Sequence, residues 1–387
     1  MKINSLKIWK ISLFVLLPVF IISFFNLWSS YRYGTKFINL ERTLLLIFSG
    51  VIPAASFLLR KKLEILKKEA GAAVILFLLI AAAGIFAPIL TPYEAGDIIN
   101  AGECRLLPPF SKKILVAGIG NEGEIKIAGD SLKLETDEAV IYKKVGKVVL
   151  AGKDIEGGTG NLHKRDYNFY LGTDEFGRDL LARLLYGARE SLFIGITASV
   201  ISLLIALFMA YIASMREKFI NGSINRLSEI FLALPSLFMV IFAISMFGNN
   251  LFSFIIVLAV TSWMSLFKIL NGEIKRIRGK NFIAVSIMLK IRWNKIFFKE
   301  IIPLILPSIM VNLVFQVINF IIVEASLSFL GLGPGVYIPS WGAIIESGIS
   351  YRADAWWMIL FPGVLLFVTI VSLNRIAKNM ENYITRI

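Results

Sequence analysis

The sequence predicts an all-α polytopic membrane protein of about eight transmembrane helices, with a small β-rich insertion outside the membrane. Three observations carry this. Hydrophobic residues make up 57% of the 387, and the mean hydropathy is +0.73, too apolar for a domain with a fully solvated surface. Eight runs without a charge are long enough to cross a bilayer core, which takes roughly 20 apolar residues per helix. A third block, 93–170, differs sharply in composition, being rich in Gly, Lys and Glu with short alternating runs.

In chain order the uncharged runs are 11–27, 43–59, 70–90, 191–215, 230–247, 251–267, 301–323 and 355–374. The fifth and sixth are one stretch divided by Gly248-Asn249-Asn250, a turn signal. Residues 1–65 read as a helical hairpin. Its first segment has a basic start and an apolar stretch but no A-x-A cleavage site, so it is expected to remain as a helix. Within 93–170, strands are expected at 113–119, 124–128, 131–135, 139–144 and 147–151, and 171–387 is the main membrane body.

The net charge of +14 is explained by topology. With the N-terminus in the cytosol, inside segments hold 23 Lys/Arg and the short outside loops hold 4, Arg32, Lys36, Arg42 and Arg352. That bias places both termini in the cytosol and leaves nucleic acid out of the expected partners. Residues 93–189 carry the remaining 14, as long translocated segments can.

Several chemistries find no support. Gly118-Ile-Gly-Asn-Glu-Gly123 matches G-x-G-x-x-G, but the alternating Glu124-Ile-Lys-Ile-Ala128 that follows reads as a strand, so a turn is expected rather than a dinucleotide site. There is no phosphate-binding G-x-x-x-x-G-K-[ST] motif. His163 is the sole histidine and Cys104 the sole cysteine, so neither a zinc site nor an intrachain disulfide is expected. No catalytic residue, cofactor or metal is assigned. The uncharged runs hold no acid for an ion relay, which costs on the order of 3 kcal/mol per charge at a helix centre, so a secondary carrier is disfavoured. Glu229 and Glu324 are read as polar ends of helices. A transporter without its own ion relay or nucleotide site must draw energy from a partner.

The segment 271–300 is the most informative loop. It mixes Lys and Arg with an apolar set that includes Phe282, Val285, Met288, Leu289, Ile291 and Trp293. Such a stretch forms short amphipathic helices that dock on a protein, or rest on lipid headgroups. Composition leaves both open.

Five separated motifs resemble one family. They are 171–192 (LGTDEFGRDLLARLLYGARESL), 87–93 (APILTPY), 229–236 (EIFLALPS), 324–333 (EASLSFLGLG) with 339–342 (PSWG), and 356–363 (WWMILFPG). They are similar to segments of the second, C-type permease of dipeptide, oligopeptide and nickel ABC importers, and the likeness covers roughly 70–92 and 171–387. The resemblance implies a six-helix core, its first helix within 66–92, preceded by the additional hairpin. It implies the inner membrane of a bacterial cell, and a path shared with a second permease. It further implies two cytosolic ABC ATPase domains that hold ATP and Mg, and an extracytoplasmic solute-binding protein. Segment 271–300 then becomes the coupling loop docked on the ATPase, with Phe282, Ala284, Val285, Ser286, Leu289, Lys290, Ile291, Trp293 and Asn294 at the contact. The usual pattern there is E-A-A-x-x-x-G. Here Ala284, Val285 and Ser286 replace its first three residues and Lys290 its glycine. The resemblance implies peptide as cargo. The altered loop supports a second reading, a non-transporting scaffold or sensor whose 93–170 segment binds a ligand.

Overall fold

A computed structural model describes residues 71–385, apart from 99, 121–122, 135–137, 144–145, 152–161, 216–217 and 336–337. The expected hairpin 1–65 lies outside the described residues. Nine helices of eight residues or more are described: α1 Gly71–Ile85, α2 Leu180–Ser214, α3 Lys218–Ala233, α4 Ser236–Phe247, α5 Leu251–Arg278, α6 Asn281–Met288, α7 Ile302–Phe329, α8 Trp341–Ile349 and α9 Trp357–Thr385. Single turns Ala87–Leu90 and Trp293–Ile296 and a π-helical turn Phe297–Ile301 complete the helical part.

Among the described residues, four helical stretches are long and apolar enough to cross a membrane: Leu180–Ser214, Leu251–Arg278, Trp293–Phe329 and Trp357–Asn382. Helix α1 is apolar, with 15 residues among those described. The run 230–247, expected as one straight span, is broken instead. Helices α3 and α4 meet at a 90° bend, where Pro235 has no N–H to continue the ladder and serves as the N-cap of α4. The 12 residues of α4 rise about 18 Å, well short of the roughly 30 Å hydrocarbon thickness. By contrast, the Gly248-Asn-Asn250 signal makes a tight hairpin. Gly248 takes φ 82° and its N–H reaches Ile244 O at 2.8 Å, while the Asn250 side chain caps α5 by accepting from Ser253 N at 3.0 Å.

The chain divides into two compact units. The first holds, among the described residues, 71–85, 189–335 and 367–385. Helix α2 contributes a buried stripe of small residues, Ala198, Ser199, Ser202, Ala206, Ala210 and Ala213, which lets neighbouring backbones approach closely. At Gly195 an added Cβ would lie 2.9 Å from Ile321 Cγ1 of α7, so only glycine allows that spacing. Phe193, Phe254, Leu258 and Phe320 form one apolar core, and Phe267, Ile274, Ile283, Phe297 and Ile301 another. Glu324, expected at a polar helix end, is fully buried because α7 continues past it to Phe329. There it accepts from Ser328 Oγ at 2.8 Å and Ser191 Oγ at 3.3 Å. Burial of such a carboxylate requires these partners.

The second unit holds residues 86–188 and 336–366. Its strands are β1 Ser111–Gly120, β2 Gly123–Gly129, β3 Ser131–Leu134, β4 Glu138–Tyr142, β5 Lys147–Ala151 and β6 His163–Phe169. They form two antiparallel sheets, β2-β1-β6 and β3-β4-β5. The glycines of the G-x-G-x-x-G match end β1 and begin β2, with Gly120 opposite Gly123, and a strand follows them rather than a phosphate-binding helix. Strand β6 was not among the expected strands. Its run His163-Lys-Arg-Asp166 lacks apolar alternation, and it is held by its pairing to β1.

Candidate functional site

Helix α5 ends in Lys275, Arg276 and Arg278, which favour the negative end of its dipole. Gly279 then closes the helix, and α6 begins at Asn281. The apolar residues of α6 divide by face. Ile283 is fully buried against the core of α5 and the π-helical turn, with Ile287 packed beside it. Phe282, Val285, Met288 and Leu289 point outward, between 47% and 80% exposed. Positions 282, 285 and 289 recur at helical spacing on one side, so they form one uncovered apolar stripe. Ala284 and Lys290 are exposed as well.

The end of α6 explains why glycine suits position 290. Lys290 N–H donates to Ile287 O at 3.0 Å and Ile291 N–H to Ser286 O at 3.1 Å. This crossed pair closes a helix through one left-handed residue, and Lys290 takes φ 54°. Helix α7 ends on the same pair, Gly331 N–H to Ser328 O at 2.9 Å and Leu332 N–H to Leu327 O at 2.8 Å, with Gly331 at φ 74°. The demand at 290 is thus conformational, a left-handed φ that costs a side-chain-bearing residue about 1–2 kcal/mol. Lys290→Gly is expected to stabilise the loop by about 1 kcal/mol and to slow amide exchange across α6, read by hydrogen–deuterium exchange. Unchanged or faster exchange would count against this account.

Ser286, Ile291, Trp293 and Asn294 turn toward the body of the first unit. The Ser286 hydroxyl lies 3.0 and 3.1 Å from the two carboxylate oxygens of Glu300, in the π-helical turn. Ile291 packs on the core. Trp293 Nε1 donates to Ser214 Oγ at 3.2 Å, and Arg278 sits 5.0 Å above the Trp293 ring while donating to Ser214 O at 2.9 Å. Tyr211 Oη donates to Asn294 Oδ1 at 2.7 Å, and its ring meets Phe297 edge-on at 5.0 Å. The loop is therefore braced on the last turn of α2 and on the end of α5. Of the residues singled out from sequence, Phe282, Ala284, Val285, Leu289 and Lys290 form the outer surface, while Ser286, Ile291, Trp293 and Asn294 form the brace. Sequence reasoning missed Met288 from the contact set, although its spacing from Val285 puts it beside that face. It also missed Tyr211, Ser214 and Arg278, whose part depends on contacts across more than 60 residues.

A second constellation gathers three of the sequence motifs inside the second unit. Thr173 Oγ1 donates to Cys104 O at 2.5 Å and accepts from Leu107 N at 2.7 Å. Asp174 is fully buried and accepts from Arg178 Nε and Arg183 Nη1, each at 2.6 Å, and from Phe176 N and Arg178 N. Trp341 Nε1 donates to Leu184 O, and Trp357 Nε1 to Thr173 O, both at 3.1 Å. A Cβ on Gly187 would collide with Pro339 O and crowd Trp341. The segment 171–188 is thus the hub on which 339–342 and 356–358 pack.

Asp179 in this hub caps α2 by accepting from Ala182 N at 2.7 Å. Burial pushes its carboxyl up to about 6, against a smaller downward pull from that N–H. Its ordinary value is about 3.9. Between those values the folded chain holds a proton that the unfolded chain has released, so this group's contribution to stability falls as pH rises through the window. Asp179→Asn keeps an acceptor for Ala182 and is expected to flatten thermal stability between about pH 4 and 6. An unchanged pH slope in melting profiles would refute the assignment. Burial likewise raises the Cys104 thiol to about 11, leaving it an unreactive packing residue. No group of three or more His, Cys, Asp or Glu residues suited to a metal occurs among the described residues.

Residues 202–386 match the family described as binding-protein-dependent transport system inner membrane component. The chain is 31% identical over 213 residues to the oligopeptide transport system permease protein OppC of Bacillus subtilis, covering 55% of this chain and 70% of that protein. It is 32% identical over 216 residues to OppC of Haemophilus influenzae, covering 56% and 69%. It is 30% identical over 214 residues to the dipeptide transport system permease protein DppC of Bacillus subtilis, covering 55% and 67%. Among solved structures it is similar to a chain of the MetNI methionine ABC transporter in an inward-facing conformation, at 16% identity and TM-score 0.42, covering 51% of this chain and 96% of that one.

Proposed function

Since the chain belongs to the family of binding-protein-dependent transport system inner membrane components, we propose that it is a permease subunit of an ATP-driven peptide importer, coupled to its ATPase through residues 279–300. Peptide is the cargo named for the relatives OppC and DppC, and it is the substrate assigned here. In this reading a second permease completes the translocation path, and two cytosolic ATPase domains bind ATP with Mg. A solute-binding protein delivers peptide on the outer side, with both termini in the cytosol. The segment 93–170 would offer a surface to the delivery protein, the second permease or lipid.

The observation that carries this reading is the combination found in the loop. An apolar stripe formed by Phe282, Val285 and Leu289, with Met288 beside it, is left uncovered. The same loop is locked by Trp293, Asn294 and Arg278 onto the ends of α2 and α5. A surface that is sticky outward and rigid inward can pass a displacement from a bound ATPase into the helices as a rigid-body movement. The departures from E-A-A-x-x-x-G, which support a non-transporting sensor, leave a helix that is capped and braced. ATP hydrolysis would occur in the partner, and this chain would supply no catalytic group.

The test is reconstitution in lipid with both permeases, the ATPase and the binding protein. A photo-crosslinker at Val285 is expected to label the ATPase, and peptide is expected to stimulate hydrolysis. Labelling without peptide stimulation would remove peptide as cargo. Absence of labelling would remove the coupling assignment.

A further inference from the structure

The segment that carries the outward stripe of α6 is rich in uncompensated positive charge. Between Arg278 and Glu300 the chain holds no Asp or Glu. Lys280, Lys290, Arg292, Lys295 and Lys299 are all exposed, and none has an ion-pair partner among the described residues. The single acid that borders the set, Glu300, is engaged by Ser286. Five exposed like charges in the segment that carries an apolar patch repel one another and remain solvated until an opposite surface meets them.

Lipid headgroups carry that opposite charge, but the geometry of α5 holds the patch away from them. The uncharged run of α5 ends at Phe267, and the helix continues unbroken to Arg278. Eleven further residues rise about 16 Å, or about 12 Å with a steep tilt near 40°. The headgroup layer adds only about 5–8 Å on each side of the hydrocarbon. The end of α5 therefore stands beyond the headgroups, and α6 follows it directly after Gly279 and Lys280.

We propose that the partner surface is an apolar groove rimmed by Asp and Glu side chains, so that the cationic rim of this loop selects its own ATPase by charge. The proposal rests on the coupling assignment made above and adds the chemistry of the partner. It accounts for Ala284 in place of the usual glutamate, since a carboxylate there would face the partner's acids across the interface. Charge complementarity of this kind chiefly sets partner choice and encounter rate, while the apolar stripe supplies the contact.

The experiment uses the complex purified through this chain, with its ATPase subunits stripped and added back at known concentrations. Lys280→Glu/Arg292→Glu/Lys295→Glu is compared with the natural chain, each carrying a photo-crosslinker at Val285. These side chains are exposed and Lys280 and Arg292 make no side-chain cap bond, so the fold is spared. The reversed chain is expected to bind the ATPase at least about 10-fold more weakly at about 50 mM salt, with the gap closing near 500 mM. Replacing the crosslinked acids of the ATPase with Lys is expected to restore binding to the reversed chain. Equal affinity with the Val285 crosslink intact would overturn the acidic rim and leave docking standing. If the natural chain yields no crosslink to the ATPase, the docking assignment falls and this proposal with it. Crosslinks to lipid would overturn it in favour of the membrane surface.

Discussion

Asp174→Ala is expected to destabilise the chain by about 3–5 kcal/mol, the usual cost of removing one side of a buried ion pair. Asp174 is the shared acceptor of Arg178 Nε and Arg183 Nη1, both at 2.6 Å, and both arginine side chains are nearly or fully buried. Alanine removes the carboxylate that the two guanidiniums share and leaves Arg178 only Glu175 Oε1, at 3.4 Å. It also removes the acceptor that holds the Phe176 and Arg178 N–H groups in the turn before α2. The readout is thermal unfolding of the detergent-solubilised chain, where a loss of this size corresponds to roughly 5–10 °C. Asp174→Asn, which retains an oxygen for the backbone donors, is expected to fall between the two. A shift under about 1 °C for Asp174→Ala would show that the arginines find other partners and that the hub is not held by this carboxylate.

The second large effect is expected at the loop. Val285→Asp/Met288→Asp places two carboxylates on the uncovered stripe, where both side chains are more than half exposed and touch no core. Folding is therefore expected to be unchanged. Coupling is not, because a carboxylate that must leave water for an apolar groove costs several kcal/mol. Peptide-stimulated ATP hydrolysis is expected to drop by about 100-fold or to the unstimulated level, while ATPase activity without the permeases stays constant. Full stimulation by the double variant would place the coupling contact elsewhere on the chain. Because the two substitutions act through a partner and Asp174→Ala through the chain's own stability, the two experiments fail independently.

The spans were legible where the signal was local. An uncharged stretch of some 20 residues must satisfy its backbone internally in a bilayer, so 251–267 and 301–323 read directly as helix. The Gly-Asn-Asn turn was legible for the same reason, since the left-handed φ of Gly248 and the cap from Asn250 are properties of neighbouring residues. Run 230–247 misled because hydropathy weighs composition and not the N–H that Pro235 lacks. Glu324 was read at a helix end because it lies just past the uncharged run 301–323, whereas its burial comes from Ser191 on α2 and the extension of α7 beyond it.

The candidate site divides in the same way. That 271–300 is amphipathic and basic was visible in the chain, as were the substitutions at 284 and 290, whereas its first residues, 271–278, proved to be the end of α5. The left-handed backbone of Lys290, the outward turn of Phe282, Val285, Met288 and Leu289, and the brace on Tyr211 and Ser214 came only from the folded structure. Sequence by itself determined which segments are apolar, where charge collects and which turns are possible, because these depend on residues within a few positions of one another. Tertiary structure decided which carboxylates are buried and paired, which apolar side chains remain uncovered and which distant motifs share a hub. Those outcomes depend on which surfaces meet across tens to hundreds of residues, and a linear pattern does not contain that distance.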